Sequence, residues 1–118
     1  MISMDYVVAV HDSLIQEGSC APGIRDENLL NSAVEGQYWY NTVYEKYLHV
    51  AYSINTYHVY SDGNKRTAFI ILKSLEEHGF LFDDRLLCDL ILKYAKYSGS
   101  LDKDTFSSEL KECMIDTP

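Results

Sequence analysis

The sequence predicts an all-α protein: one compact bundle of about six helices over residues 1–118, built around a central buried helix. Three observations carry that expectation. Apolar residues recur at i, i+3, i+4 and i+7 along most of the chain. No run alternates apolar and polar residues as a half-buried strand would. Capping residues and glycines fall where the helical stripes stop. A chain of 118 residues suits a single domain, long enough to bury a core and too short for a second one.

Taken in order, residues 4–17 place Val7, Val10, His11 and Leu14 on one helical face, and Gly18 offers a left-handed stop. SCAPGIRD, residues 19–26, is a loop punctuated by Pro22 and Gly23. Asp26 then caps a short helix through Val34, whose buried stripe is Leu30, Ala33 and Val34. GQYWYN, residues 36–41, is aromatic without a helical period and reads as either a short hairpin-like flap or an irregular connector.

Thr42 and Glu45 have capping-box spacing and open a third helix. Its stripe of Val43, Tyr47, Val50, Ile54 and Tyr57 leads to His58, after which VYSDG forms a turn. A fourth helix is expected from near Asn64 to His78, closed by Gly79. Its middle, TAFIIL, is apolar on nearly every face, as in a helix enclosed on all sides. FLFDD reads as a short extended link. Leu87, Leu90, Ile91 and Tyr94 mark a fifth helix closed by Gly99. Phe106, Leu110 and Cys113 mark a sixth, capped by Asp102.

The composition, 47% hydrophobic and 24% charged, is that of a globular protein. A formal net charge of −8 argues against bulk attraction to nucleic acid or to an anionic membrane surface. Cys20, Cys88 and Cys113 have neither zinc-ligand spacing nor the pattern of a disulfide framework, which points to a reducing cytoplasm. MISMDYVVAVHD lacks a basic leader region and is interrupted by Asp5 and His11, so no signal peptide is expected. No stretch approaches the roughly 18 apolar residues of a membrane span.

In so acidic a chain, the adjacent Lys65 and Arg66 of HVYSDGNKRTAF (residues 58–69) need a reason. The predicted layout puts SDGNKR where a loop enters a helix. The first N–H groups of a helix lack internal partners and carry the positive end of its dipole. Gly63 lets the main chain approach a ligand there, and Lys65 and Arg66 add formal charge, so the segment reads as a phosphate cradle. The Asn64 amide is a further donor. Asp62 is odd in a pure anion site and sensible if Mg²⁺ bridges its carboxylate and the phosphates. His58, four residues earlier, could take a proton from an attacking hydroxyl. The plainer reading of the same residues is a helix-capping turn with Lys65 and Arg66 solvated. Away from the motif, His11 reads as a satisfied core histidine, and His49 and His78 as surface or helix-end residues.

His58, Asp62, Gly63, Asn64, Lys65, Arg66 and Thr67 together resemble the signature of the Fic/Doc family, most closely its death-on-curing toxin branch. The "HD" of the first helix and GIRDENLLNSAV resemble that branch too. The resemblance implies His58 as general base, Asp62 as Mg²⁺ ligand, and Gly63, Asn64, Lys65 and Arg66 as the nest for the phosphates of ATP. The family transfers part of a nucleoside triphosphate to a protein hydroxyl. Typical Fic enzymes transfer AMP. The death-on-curing branch is a kinase-like toxin that phosphorylates elongation factor Tu and is held in check by a cognate antitoxin.

Val59 and Tyr60 stand where the family has proline and phenylalanine, changes expected to affect packing. Lys65 replaces the glycine of typical Fic enzymes and Phe69 their second arginine, which favours phosphoryl over AMP transfer. Gly63 is the Fic-like choice. AMP transfer therefore stays as an alternative, as does a non-catalytic partner-binding domain that keeps the nest without turnover. SLIQEG, residues 13–18, matches the S/T-x-x-x-E-G/N pattern of an inhibitory helix whose glutamate, here Glu17, pairs with the motif arginine. It equally matches a plain amphipathic helix ending at a glycine cap. Tyr38, Trp39 and Tyr40 read as a flap that docks a target by strand addition, or as a loop lying on the core. Cys20 reads as a loop thiol.

Overall fold

The computed structural model describes residues 1–96 and 102–118. Helix α1 (Met4–Gln16) starts where the Ser3 hydroxyl accepts the Tyr6 N–H at 3.0 Å, and buries Val7, Val10, His11 and Leu14. Helix α2 (Glu27–Glu35) is capped by the Asp26 carboxylate, which accepts from Asn28 and Leu29. Helix α3 (Val43–Tyr57) is capped by the Thr42 hydroxyl on the Glu45 N–H at 3.1 Å. Helix α4 (Asn64–Lys73) tightens into a 3-10 turn, Ser74–His78, that ends on left-handed Gly79. Helices α5 (Asp84–Lys96) and α6 (Lys103–Glu112) follow, the second capped by Asp102. Gly99, the expected stop of the fifth helix, lies outside the described residues. No helix among the described residues is long and apolar enough to cross a membrane.

The all-α bundle is as expected, with three corrections. The most enclosed helix is α3, not α4. Tyr47, Leu48 and Val50 through Thr56 are all buried, whereas α4 leaves Phe69 and Ile70 half-exposed on the wall of a groove. Second, FLFDD is more than a link. Strand β1 (Leu81–Phe82) pairs antiparallel with strand β2 (Met114–Asp116), closing the chain's end onto the bundle.

Third, the segment 36–41 is neither hairpin nor irregular. Gly36–Trp39 is a 3-10 turn, pinned by fully buried Gln37, whose amide donates to Ile2 and Val34 carbonyls and accepts from the Ile2 N–H. Gly36 abuts His49: a Cβ there would lie 2.2 Å from His49 Nε2. His49 is therefore half-buried rather than a surface residue, between Gly36, the Tyr40 ring and Lys103 Nζ at 3.1 Å, and burial pushes its pKa down. Tyr38 and Trp39 face solvent.

The caps offer a direct check on this local reading. Thr42→Ala removes the acceptor for the Glu45 N–H and is expected to cost about 1 kcal/mol, read as a lower unfolding midpoint in urea with unchanged m-value.

Candidate active site

Helix α3 ends at His58 with φ 52 and ψ 59, the one described non-glycine residue at positive φ. That left-handed turn, which costs roughly 1–2 kcal/mol for an L-residue, swings the chain back along the segment 23–26. Ile24 bridges antiparallel to Tyr60, the Ser61 N–H donates to the Gly23 carbonyl at 3.0 Å, and the Arg25 N–H donates to the Val59 carbonyl at 2.9 Å. The Arg25 guanidinium reaches round the corner, Nε donating to the His58 carbonyl and Nη2 to that of Tyr57. Val59 and Tyr60 anchor the turn in the core. The Tyr60 ring stacks on His11 with centroids 3.6 Å apart and planes 7° from parallel. Burial pushes the Tyr60 hydroxyl up to about 12.

The loop itself is held from within. Asn64 is buried, accepting from the Tyr60 N–H and donating to the Tyr60 carbonyl, each at 2.8 Å. This corrects the expectation that its amide faces a phosphate: the side chain locks the loop, and what Asn64 offers a ligand is its own N–H in the first turn of α4. Asp62 accepts from the Gly63 N–H on one carboxylate oxygen and the Ala21 N–H on the other, both at 2.9 Å. Those two N–H groups, then the charges of Arg66 and Lys65, hold its carboxyl below the usual range. The Asp62 carbonyl faces His11 Nε2 at 2.9 Å, so that nitrogen carries the proton. His11 is the buried, hydrogen-bonded residue its stripe predicts.

Gly63 caps α4 at φ 84 with no side-chain acceptor, so the helix's first N–H groups open towards solvent. Behind it sits Cys20, whose thiol is pushed up by burial and then by the Asp62 charge. The Arg66 guanidinium donates to the Ser19 carbonyl just past α1. Among the described residues Glu17 makes no ion pair with Arg66. It is the exposed C-cap of α1.

These elements enclose a cleft of about 430 Å³ lined by His58, Asp62, Gly63, Asn64, Lys65 and Arg66, with Ser19 and Ser61. The six residues read from the sequence as the site, His58, Asp62, Gly63, Asn64, Lys65 and Arg66, share that one cleft. Lys65 and Arg66 also border a second, apolar groove of about 400 Å³ formed with Leu14, Phe69, Ile70, Cys88, Ile91 and Leu92. Phe69, standing where typical Fic enzymes have their second arginine, lines this groove and adds no charge to the cleft.

The donor set fits Mg²⁺ only in one manner. Each Asp62 carboxylate oxygen accepts one N–H and keeps a lone-pair direction. Among the described residues no three His, Cys, Asp or Glu gather into a cage. A cation here would take one carboxylate plus phosphate oxygens and water, the usual manner for magnesium.

A family model for the Fic/DOC family matches residues 1–75. The chain belongs to the Fic/DOC family. The match runs from α1 through α4 and so takes in every residue that lines the cleft. Membership of the family suggests a protein-modifying transferase-type function. A search of curated proteins found no match.

Sequence reasoning missed Arg25 and the supporting roles of His11, Cys20 and Ser19. GIRD carries part of the family resemblance, but one loop arginine gives no sign of which carbonyls it will meet. The extended segment beside the motif is 23–26. The aromatic stretch 38–40 is a 3-10 turn and its cap.

Proposed function

We propose that this protein is a kinase-like toxin that moves a phosphoryl group from ATP to a hydroxyl on a protein, elongation factor Tu being the candidate target. The carrying observation is that His58, the Asp62 carboxylate and the open N-terminus of α4 line the same cleft. The phosphates lie against the first-turn N–H groups and Gly63, with Lys65 and Arg66 balancing their charge. The His58 imidazole accepts the hydroxyl proton as the oxygen bonds to the γ-phosphorus, and the bond to the leaving ADP oxygen breaks. Asp62 would hold Mg²⁺, which when bound would neutralise phosphate charge. Phosphoryl transfer asks mainly for positioning and charge neutralisation, which this small set supplies.

AMP transfer is the second reading, favoured by one observation. Gly63 leaves no side chain at the tightest point of the cradle, as in typical Fic enzymes, and there pyrophosphate would leave. The apolar groove beside Lys65 and Arg66 suits a helical antitoxin tail laid across the mouth of the cleft, with the complex in the cytoplasm. A domain that binds without turnover is the remaining alternative.

Mass spectrometry of elongation factor Tu, or of a cell extract, incubated with the protein, ATP and Mg²⁺ tests the proposal. A gain of one phosphate supports it. A gain of one AMP favours the second reading instead, and nucleotide binding without any transfer leaves the binding domain. Arg66→Ala is expected to weaken ATP·Mg binding about tenfold by calorimetry, equivalent to about 1.4 kcal/mol.

A further inference from the structure

We infer that Arg25 is the positioning residue for His58, clamping the left-handed turn that carries the imidazole. This inference rests on the reading of His58 as the base.

Three successive carbonyls, those of Tyr57, His58 and Val59, accept from this one residue: two from its guanidinium and one from its N–H. They are the end of α3 and the turn beyond it, where a helix leaves its carbonyls without internal partners. A cation there also meets the negative end of the helix dipole. Among the described residues no carboxylate pairs with Arg25, although the chain carries 18 Asp and Glu. Its fork is directed at backbone alone.

The backbone of Arg25 is in turn fixed by the antiparallel pairing of Ile24 with Tyr60, so the fork arrives already aligned. His58 is the one described non-glycine residue held at positive φ, and the direction of its Cβ follows from that backbone. Unclamped, the last turn of α3 would fray and the imidazole would change direction while the α4 cradle stayed in place. Arg25 does not line the cleft, so it has no part in holding the phosphates. Lysine is a poor substitute, because a single ammonium lacks the planar fork that engages two carbonyls at once.

The test compares Arg25→Ala and Arg25→Lys in the full chain, following label transfer from ATP into extract protein alongside ATP·Mg binding. Arg25→Ala is expected to lower kcat about 100-fold, the scale of a base displaced by about 1 Å, with ATP affinity within about twofold of the parent. Arg25→Lys should recover little of it, and added ethylguanidinium should restore part of the Ala variant's rate. Unchanged kcat, or kcat and ATP affinity falling together, overturns the inference.

If Arg25→Ala does not fold, Arg25→Lys carries the same split. If the parent itself shows no transfer, the functional reading fails and the clamp is read by NMR. The His58 ring resonance should then shift in Arg25→Lys while the Gly63–Arg66 amides hold, and an unmoved His58 signal overturns the clamp.

Discussion

His58→Ala is expected to lower transfer to the protein hydroxyl by between about 100-fold and about 10,000-fold, the range a positioned general base supplies. ATP·Mg binding should survive, because the donors proposed for the phosphates are the α4 N-terminus, Lys65 and Arg66, which line the cleft without the imidazole. The obvious confusion is structural: alanine at φ 52 tolerates the left-handed turn less well than histidine does. His58→Asn keeps a residue common in that conformation while removing the base. Both variants should therefore lose kcat alike, with ATP affinity near the parent's by calorimetry. If His58→Asn keeps its turnover, the imidazole takes no proton, and the phosphate cradle must be explained by binding alone.

How much of the molecule is readable from sequence depends on how local each signal is. The caps Asp26, Thr42 and Asp102 and the stripes of α1, α2, α5 and α6 are encoded within a few residues, and they stand as predicted. Helix α3, by contrast, buries Tyr47, Val50 and Ile54 of its stripe and leaves Tyr57 exposed. The strand pair was invisible because Leu81–Phe82 and Met114–Asp116 are too short to show alternation and exist only through each other. Gln37 hid the 3-10 turn, since a glutamine is expected outside and here satisfies three backbone groups inside.

At the site, residue types and spacing were enough to gather the cleft, but not to say what each side chain does. Asn64 could donate to a phosphate or to the loop, and only the returning chain at Tyr60 decides. Arg25 is the same case at longer range: its partners lie 32 and 33 residues away. The support of the His58 turn is thus tertiary information, while His58 itself belongs to a motif legible in the sequence.

Gly63→Ala is expected to damage both stability and nucleotide binding, for two separable reasons. The first is conformational. At φ 84 an L-residue pays roughly 1–2 kcal/mol that glycine does not. The second is space. A Cβ on Gly63 would lie 2.8 Å from Cys20 Sγ, 3.1 Å from Cys20 Cβ and 3.3 Å from His11 Cδ2.

Cys20 is the softer neighbour, because His11 is stacked on Tyr60 and hydrogen-bonded to the Asp62 carbonyl. Crowding of this kind typically costs about 1–3 kcal/mol, so the single variant should lose about 2–5 kcal/mol in urea unfolding. Relief by moving the loop instead would break the Gly63 N–H to Asp62 contact and turn the first donors of α4 away from the ligand, so ATP binding should fall more than stability alone predicts.

Adding Cys20→Ala removes the 2.8 Å clash but leaves φ unchanged. The double variant should recover only the Sγ share of the steric part, because the Cβ of residue 20 at 3.1 Å and His11 Cδ2 at 3.3 Å remain. The coupling energy between the two positions should be about 0.5 kcal/mol or more. Equal midpoints for the single and double variants would mean that the Cys20 Sγ contact contributes nothing to the cost. Full ATP affinity in Gly63→Ala would mean that the phosphates do not sit against this turn.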